Sequence, residues 1–170
     1  MDLKNYIRDI SDFPKKGVVF KDITPLLKDP IALKFATEAL LHSLENRRID
    51  KVVGIESRGF FFAPMLASGL KAGFVPVRKA GKLPSKTLEE VYSLEYGTDT
   101  VEIHSDSIVK GENVLIHDDV LATGGTAKAV CNLVEKMGGK IIQCNFLIEL
   151  DFLKGREKLK KYAVKSLMHY

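Results

Sequence analysis

Short apolar runs alternate with amphipathic stretches along most of the chain. Apolar or β-branched runs predict buried strands at 52–55, 74–77, 114–116 and 140–147. Apolar residues at steps of three and four predict a helix from about 29 to 47, one between Pro64 and Gly73, and one from about 127 to 137. Weaker patterns predict helices over 3–10 and 153–161, and extended segments at 18–25, 100–104 and 163–167. Strands that alternate with helices favour an α/β fold with a mostly parallel sheet flanked by helices.

The segment 78–100 interrupts this alternation. Its first part is basic and contains glycine and proline, and its second part is charged and aromatic without a helical period. A long irregular segment inside a compact domain usually has a function, which favours a lid over the site. Pro76 predicts that the preceding strand, 74–77, is short or lies at an edge of the sheet.

The most informative stretch is 114–127, in which two acids and a turn of small residues join a strand to a helix. Unpaired N–H groups at a helix start, together with the helix dipole, form an anion site, and glycines let the backbone approach the anion. The turn is therefore predicted to bind a phosphate. The acids Asp118 and Asp119 would accept hydrogen bonds from sugar hydroxyls beside it, so the predicted ligand is a ribose 5-phosphate group. The turn residues are Ala122, Thr123, Gly124, Gly125 and Thr126.

Basic residues follow two other predicted strands. Arg58 comes after strand 52–55, and Arg78, Lys79 and Lys82 come after strand 74–77. Ligands of parallel α/β sheets bind at the carboxyl ends of the strands, so these side chains are predicted to face the phosphate turn. The alternatives are that Arg58 pairs with Glu56 at the surface and that the basic cluster is a solvated loop.

Composition narrows the class of protein. The chain has 170 residues, of which 45% are hydrophobic and 28% charged, as expected for one globular domain. A net charge of +4 favours a small anionic substrate over nucleic acid. The chain has no apolar run of about 20 residues and no signal-peptide pattern, so we expect a cytoplasmic protein that does not contact the membrane. Cys131 and Cys144 are expected to be reduced core thiols.

Several blocks of the chain resemble the type I phosphoribosyltransferases, and together they span nearly its whole length. The central block is the strand, Asp-Asp and Thr-Gly-Gly-Thr motif of 114–126. The blocks at 12–25 and 92–97 are similar to those of the family members that use adenine. The resemblance implies the type I fold, with a small N-terminal hood at about 1–28 and a mobile lid loop at about 78–100. The other blocks lie at 54–60, 78–84 and 153–159.

The same resemblance implies a reaction and roles for individual residues. Adenine and 5-phosphoribosyl 1-pyrophosphate would give AMP and pyrophosphate, with Mg²⁺ held through substrate oxygens and no direct protein ligand. Asp118 and Asp119 would bind the ribose hydroxyls, and Arg58, Arg78, Lys79 and Lys82 the pyrophosphate, some of them across a homodimer interface. Phe20 would stack on adenine while backbone groups of Val19 and Lys21 read its edge. Glu95 and Tyr96 would close over the reaction centre, and Glu95 is a hypothetical general acid or base.

Two other functions stay open. One is a phosphoribosyltransferase for another base, such as hypoxanthine or guanine. The other is a regulator that binds phosphoribosyl pyrophosphate and acts on nucleic acid, which would need a DNA-binding module or an extended basic face. From the residues alone, Phe20 fits a core position better than a ligand contact, and His117 reads as a packed strand residue.

Overall fold

The computed structural model describes residues 1–93 and 97–170. Four α-helices are described: α1 Thr24–Lys28, α2 Pro30–His42, α3 Ala63–Leu70 and α4 Gly125–Lys136. The strands are β1 Arg8–Ser11, β2 Val19–Asp22, β3 Lys51–Ile55, β4 Gly73–Lys79, β5 Thr87–Ser93, β6 Thr98–His104, β7 Asn113–Leu121, β8 Lys140–Glu149 and β9 Val164–His169.

Seven of these strands form one sheet in the order β5-β6-β4-β3-β7-β8-β9. The pairs β3–β4, β3–β7, β7–β8 and β8–β9 are parallel, whereas β6 pairs antiparallel with both β4 and β5. Parallel neighbours joined through helices confirm the predicted α/β class. Because the sheet is parallel at its centre, the strands β3, β7 and β8 end at the same edge.

The centre of the sheet is covered on both faces. Val114, Leu115 and Ile116 of β7 are fully buried, which explains why this strand is a continuous apolar run and does not alternate. Helix α4 contributes its apolar face to the same core, through Val130 and Val134 among others. The loop between β7 and α4 is thus held between two firmly packed elements.

The chain divides into two compact units, Met1–Ala39 and Leu40–Tyr170. The first contains the two-stranded antiparallel sheet of β1 and β2, and the second contains the seven-stranded sheet. The hood predicted at about 1–28 falls within the first unit, and its role stays a prediction. In the described part of the chain, no helix combines the length and apolar character needed to cross a membrane.

The sequence pattern was wrong about the bounds of three elements in and just after the first unit. The helix predicted over 3–10 stops as a 3-10 helix at Tyr6, because residues 8–11 pair with β2. The extended segment predicted over 18–25 ends at Asp22, and α1 follows at Thr24. The helix predicted to reach 47 ends at His42, and Glu45 and Asn46 take left-handed φ angles of 51° and 60° that a helix excludes.

Three later elements also differ from the pattern. Strand β4 is longer than 74–77, and it tolerates Pro76 because the register with β6, in the described residues, begins at Arg78. The segment predicted as an irregular lid contains the hairpin of β5 and β6, which pair from Thr87↔His104 to Ser93↔Thr98. The helix predicted at 153–161 is two short 3-10 helices, Asp151–Leu153 and Gly155–Leu159, separated by Lys154 at φ 53°.

Candidate active site

The two adjacent acids lie on β7, which runs as far as Leu121. The sequence placed them after the strand, whereas the structure places them inside it, paired through Asp118↔Phe146 with β8. The strand continues because β8 is also longer than predicted and supplies partners up to Glu149. As a result the backbone of both acids is fixed by the sheet rather than by a loop.

The phosphate turn follows this strand. Gly124 has a φ of 74°, in the left-handed region that favours glycine, and α4 begins at the next residue. A cavity of about 70 Å³ opens over the turn, lined by Asp118, residues 120–122 and the predicted phosphate-binding residues through Ala127. The free N–H groups of the first turn of α4 therefore face a small polar space, as an anion site requires.

The backbone of Gly155 packs directly against the phosphate turn. Sequence analysis gave this residue no role in the site. A Cβ on Gly155 would overlap the carbonyl oxygen of Ala122 and lie 2.9 Å from the backbone nitrogen of Gly124. A Cβ on Gly124 would likewise overlap the carbonyl oxygen of Gly155. Two glycines thus let two backbone segments touch at the phosphate turn. The signal in the sequence was the Lys-Gly-Arg stretch at 154–156, which had been interpreted as part of a basic helix.

Asp119 is paired with Arg58 across the end of the sheet. The Nη1 atom of Arg58 lies 3.0 Å from Oδ2 of Asp119, and only 4% of Asp119 is exposed. Burial, opposed by the Arg58 guanidinium, raises the pKa of Asp119. Burial and the neighbouring charge of Asp119 raise the pKa of Asp118 well above its usual value. Holding two carboxylates side by side here is thus costly, which is typical of functional sites.

A second cavity, of about 300 Å³, adjoins the first. It is lined by ten residues that include Asp118 and Thr126, which also line the cavity over the turn. Arg78 and Lys79 at the end of β4 also line it, and the shared residues join the two cavities into one continuous site. The complete lining is Ile55, Glu56, Val77, Arg78, Lys79, Tyr92, Asp99, Val101, Asp118 and Thr126.

Each of the two cations on β4 has an acid as its partner. Nη2 of Arg78 lies 2.9 Å from Oε1 of Glu56, and Nζ of Lys79 lies 3.1 Å from Oδ2 of Asp99. The hydrogen bond from Arg78 is the main reason that the pKa of Glu56 is lowered. Arg58, for which a surface pair with Glu56 was the alternative, is paired with the buried Asp119. The Glu56–Ser57 peptide bond beside Arg58 is cis.

Tyr92 and Asp99 line this cavity although the sequence did not single them out. They are brought there by the β5–β6 hairpin, in which Tyr92 and Asp99 are cross-strand partners. The hairpin also packs on the phosphate turn, since a Cβ on Gly125 would lie 3.3 Å from the carbonyl oxygen of Ser93. The sequence of 87–93 carries no clear strand signal, because Glu90 takes a partly buried position while Val91 is exposed.

Other predicted residues are placed elsewhere or lie outside the description. Lys82 is exposed, and its carbonyl oxygen accepts a hydrogen bond from Nη1 of Arg78 at 3.3 Å. Val19, Phe20 and Lys21 belong to β2 in the first unit, where the rings of Phe20 and Phe13 meet edge to face at 5.1 Å. Glu95 and Tyr96 lie outside the described residues.

His117 precedes the acids and is a packed strand residue, as its pattern indicated. It is fully buried, with Nδ1 2.8 Å from Oδ1 of Asn145 on β8. Burial lowers the pKa of His117 to about 4, so the ring is neutral at physiological pH. Cys131 and Cys144 are likewise buried free thiols, with their sulfur atoms 3.6 Å apart.

The family model described as phosphoribosyl transferase domain matches residues 24–168. It spans the phosphate turn, the two acids and the cations of β4. The chain therefore belongs to the phosphoribosyl transferase family.

Similar proteins of known name narrow the membership to one branch of this family. An adenine phosphoribosyltransferase of Christiangramia forsetii is 65% identical over 100% of this chain and 99% of its own length. The crystal structure of adenine phosphoribosyltransferase from Thermoanaerobacter pseudethanolicus is 52% identical, with a TM-score of 0.97 over 99% of this chain and 98% of that one. The enzyme of Saccharomyces cerevisiae, solved with adenine and an imino-altritol bisphosphate, is 44% identical, with a TM-score of 0.91 over 98% and 96%. Within the family, the chain is a member of the adenine phosphoribosyltransferases.

Proposed function

We propose that the protein transfers the 5-phosphoribosyl group from 5-phosphoribosyl 1-pyrophosphate to adenine, giving AMP and pyrophosphate, as a step of purine salvage. The observation that carries the proposal is the continuous site formed by the phosphate turn, Asp118 and the cations of β4. One end fits a phosphate, the middle fits ribose hydroxyls, and the other end fits a second, larger anion. The full-length similarity to adenine phosphoribosyltransferases supports adenine as the acceptor.

Asp118 and Asp119 would hold the ribose and favour its reactive form. As the bond from C1 to the pyrophosphate oxygen breaks, the ribose becomes oxocarbenium-like, and N9 of adenine attacks the opposite face. Two carboxylates fixed in the sheet accept hydrogen bonds from the ribose hydroxyls, and they place negative charge beside the developing cation. The backbone of β7 holds them in position before the substrate arrives, so little reorganisation is needed.

The cations would accept the leaving group. We propose that Arg58, Arg78, Lys79 and Lys82 bind pyrophosphate, because arginine and lysine form charge-assisted hydrogen bonds with phosphate oxygens. Arg78 and Lys79 line the larger cavity. Both are paired with acids, so binding the anion means exchanging a carboxylate partner for a phosphate one.

Mg²⁺ is proposed as the cofactor, bound through the substrate. The cavity has oxygen atoms of the kind that Mg²⁺ prefers, on Asp118, Asp99 and Glu56. Two of these carboxylates, however, are neutralised by Lys79 and Arg78, which fits a metal held by substrate oxygens better than one held by a protein cage. Asp118 and Asp119 would hold it indirectly, through the ribose hydroxyls. When bound, Mg²⁺ would neutralise charge on the leaving pyrophosphate.

The roles of the remaining predicted residues are proposals as well. We propose that Phe20 stacks on adenine and that the backbone of Val19 and Lys21 reads its edge. The ammonium group of Lys21 is 2.7 Å from Oδ1 of Asp9, so a carboxylate engages its side chain. Glu95 and Tyr96 would close over the reaction centre, with Glu95 managing a proton of the purine ring. An unchanged turnover in Glu95→Gln would argue against that proton role.

The proposed function predicts rapid AMP formation with adenine and little product with hypoxanthine or guanine. The measurement is product formation from phosphoribosyl pyrophosphate and Mg²⁺, with the three bases offered in parallel. Phe20→Ala is expected to raise the KM for adenine about tenfold through lost stacking, with the KM for phosphoribosyl pyrophosphate unchanged.

Three results would contradict the proposal. Turnover with an oxopurine alone would keep the reaction and discard adenine. Tight binding of phosphoribosyl pyrophosphate without turnover of any base would favour the regulator. A Phe20→Ala variant with an unchanged KM for adenine would remove the stacking role.

We further propose that the protein is a homodimer. Two large aromatic side chains beside the active-site elements are exposed, Phe61 by 45% and Phe74 by 37%. Exposed apolar side chains that lie together in a patch mark an interaction surface, and we propose that a second copy covers these two rings. Light scattering after size exclusion should therefore give twice the mass of one chain, and Phe74→Glu should shift the protein towards monomer. A wild-type protein that is monomeric at micromolar concentration would contradict this proposal.

We also propose that the protein is located in the cytoplasm. Cys131 and Cys144 are free thiols buried close together, which fits a reducing compartment. Fractionation of cells that produce the protein would place it with soluble cytoplasmic markers if this is correct.

A further inference from the structure

Asp99 occupies an unusual place in the larger cavity. Its Oδ2 atom lies 3.1 Å from Nζ of Lys79 and 3.3 Å from the hydroxyl oxygen of Tyr92, which donates to it. Its Oδ1 atom accepts a hydrogen bond from the backbone N–H of Thr100 at 2.9 Å. Tyr92 in turn contacts the side chain of Thr126 in the phosphate turn. One carboxylate thus joins a pyrophosphate-binding lysine to the hairpin that packs on the phosphate turn.

Of the two partners in this ion pair, Asp99 is the fixed one. Its side chain is 26% exposed and is held by two hydrogen bonds to its own hairpin, whereas the Lys79 side chain is 62% exposed. The backbone hydrogen bond from Thr100, together with Lys79, lowers the pKa of Asp99. The carboxylate is therefore charged at neutral pH, and Lys79 is the group that is able to move to another anion.

Each cation that β4 contributes to the larger cavity is matched by a carboxylate. Arg78 is neutralised by Glu56 and Lys79 by Asp99, so two cations that should bind pyrophosphate have carboxylate partners already. Glu56 also has a structural role. Its Oε2 atom accepts a hydrogen bond of 3.0 Å from the backbone N–H of Lys79, which fixes the end of β4. Asp99 has no such bond to β4 among the described contacts. Its effect on the cations of β4 is thus mainly electrostatic.

We propose that Asp99 sets the affinity of the site for pyrophosphate by competing for Lys79. Its ion pair holds the lysine side chain at the cavity. When pyrophosphate is bound, the carboxylate stays beside the anion and repels it, so product leaves more readily. This inference rests on the proposed function, since it assigns Asp99 a part in the release of that reaction's product.

The physical reason is the position of a fixed negative charge beside an anion site. Removing it leaves both the lysine and the cavity more positive, which favours a highly charged anion. The substitution Asp99→Asn removes the charge with little change of shape, and its side-chain oxygen is still able to accept the hydrogen bond from Thr100. Glu89→Gln is the matched control, because it removes one charge from an exposed residue at the cross-strand position opposite Glu102 on the same hairpin.

The test is calorimetric titration of the full-length protein with magnesium pyrophosphate, together with steady-state kinetics. Asp99→Asn is expected to bind pyrophosphate about tenfold more tightly than wild type. As a product inhibitor, pyrophosphate should show an inhibition constant lowered by the same factor, while the KM for adenine stays the same. Glu89→Gln should match wild type in all three quantities. A second variant, Asp99→Ser, should show the same direction, and thermal melting checks that each protein is folded.

The outcomes separate the two proposals. If wild type makes AMP and binds pyrophosphate but Asp99→Asn binds it equally or more weakly, the competing role is overturned. Weaker binding would mean that Asp99 positions Lys79 for the anion rather than withholding it. If wild type neither makes AMP nor binds pyrophosphate, the proposed function itself fails.

Discussion

Asp118→Asn is expected to lower kcat about 100-fold while leaving the protein as stable as wild type, or more stable, at neutral pH. The loss of rate follows because the variant places a neutral amide where a carboxylate should stabilise positive charge on the ribose. The stability follows from the raised pKa of Asp118, which burial and the charge of Asp119 cause. A group whose pKa is higher in the folded state costs stability once it is ionised. Asparagine does not ionise, so the variant avoids that cost.

The raised pKa of Asp118 also fixes how the stability of the protein changes with pH. As the pH falls, the folded protein takes up the proton of Asp118 before the unfolded chain does, so this group's cost to stability disappears on acidification. Wild-type kcat/KM should fall over the same range, at a pH above the usual 3.8 of an aspartate. The measurements are kcat and the melting temperature of both proteins across pH. A variant that melts well below wild type at neutral pH, or that keeps full kcat, would contradict the prediction.

Gly155→Ala is expected to raise the KM for phosphoribosyl pyrophosphate about 100-fold by deforming the phosphate turn. The added methyl group would overlap the carbonyl oxygen of Ala122 and crowd the nitrogen of Gly124. Both obstacles are backbone atoms, so the turn itself has to shift. Small displacements of positioning groups are known to cost catalysis this much. The KM for adenine should change much less, because the substitution acts at the phosphate end of the site.

Gly73→Ala is the matched control for this substitution. Gly73 opens β4, and a Cβ there would meet the end of the flexible Lys51 side chain, its Cδ atom at 3.1 Å. Because the obstacle is a side chain rather than backbone and lies away from the phosphate turn, the control should retain wild-type kinetics. The measurement is KM for each substrate in both variants, with circular dichroism to verify folding. Equal KM values for phosphoribosyl pyrophosphate in wild type and Gly155→Ala would show that the close backbone contact does not shape the site.

The central part of the site could be predicted from the sequence because its signals are local. An apolar strand, two acids, a turn of small residues and an amphipathic helix follow one another within residues 114–137, and each feature has a direct physical reason. The phosphate turn and the fold class follow from such short-range patterns. Arg78 and Lys79 could be added because parallel strands end at a common edge, which brings distant loops together.

The residues that sequence analysis missed depend on contacts between distant segments. Asp99 reaches the cavity because β6 pairs with β5 on one side and β4 on the other, and no local pattern reveals that register. Gly155 matters because its backbone touches Ala122, more than thirty positions earlier. The charge pattern of 153–161 predicts one helix, but Lys154 has a left-handed φ angle, which interrupts a helix at that position. In each case, tertiary packing overrode the local preference.

The close backbone contact between Gly124 and Gly155 also limits how the phosphate turn could be transferred to another protein. The turn is not a self-contained module, since its backbone path is shaped by the 3-10 segment that follows β8. An engineer who grafts residues 122–126 onto another strand-helix junction would have to bring Gly155 and its neighbours as well. For the same reason, a chimera of two family members should have its crossover points outside residues 122–155. The phosphate turn and the segment around Gly155 then come from the same parent.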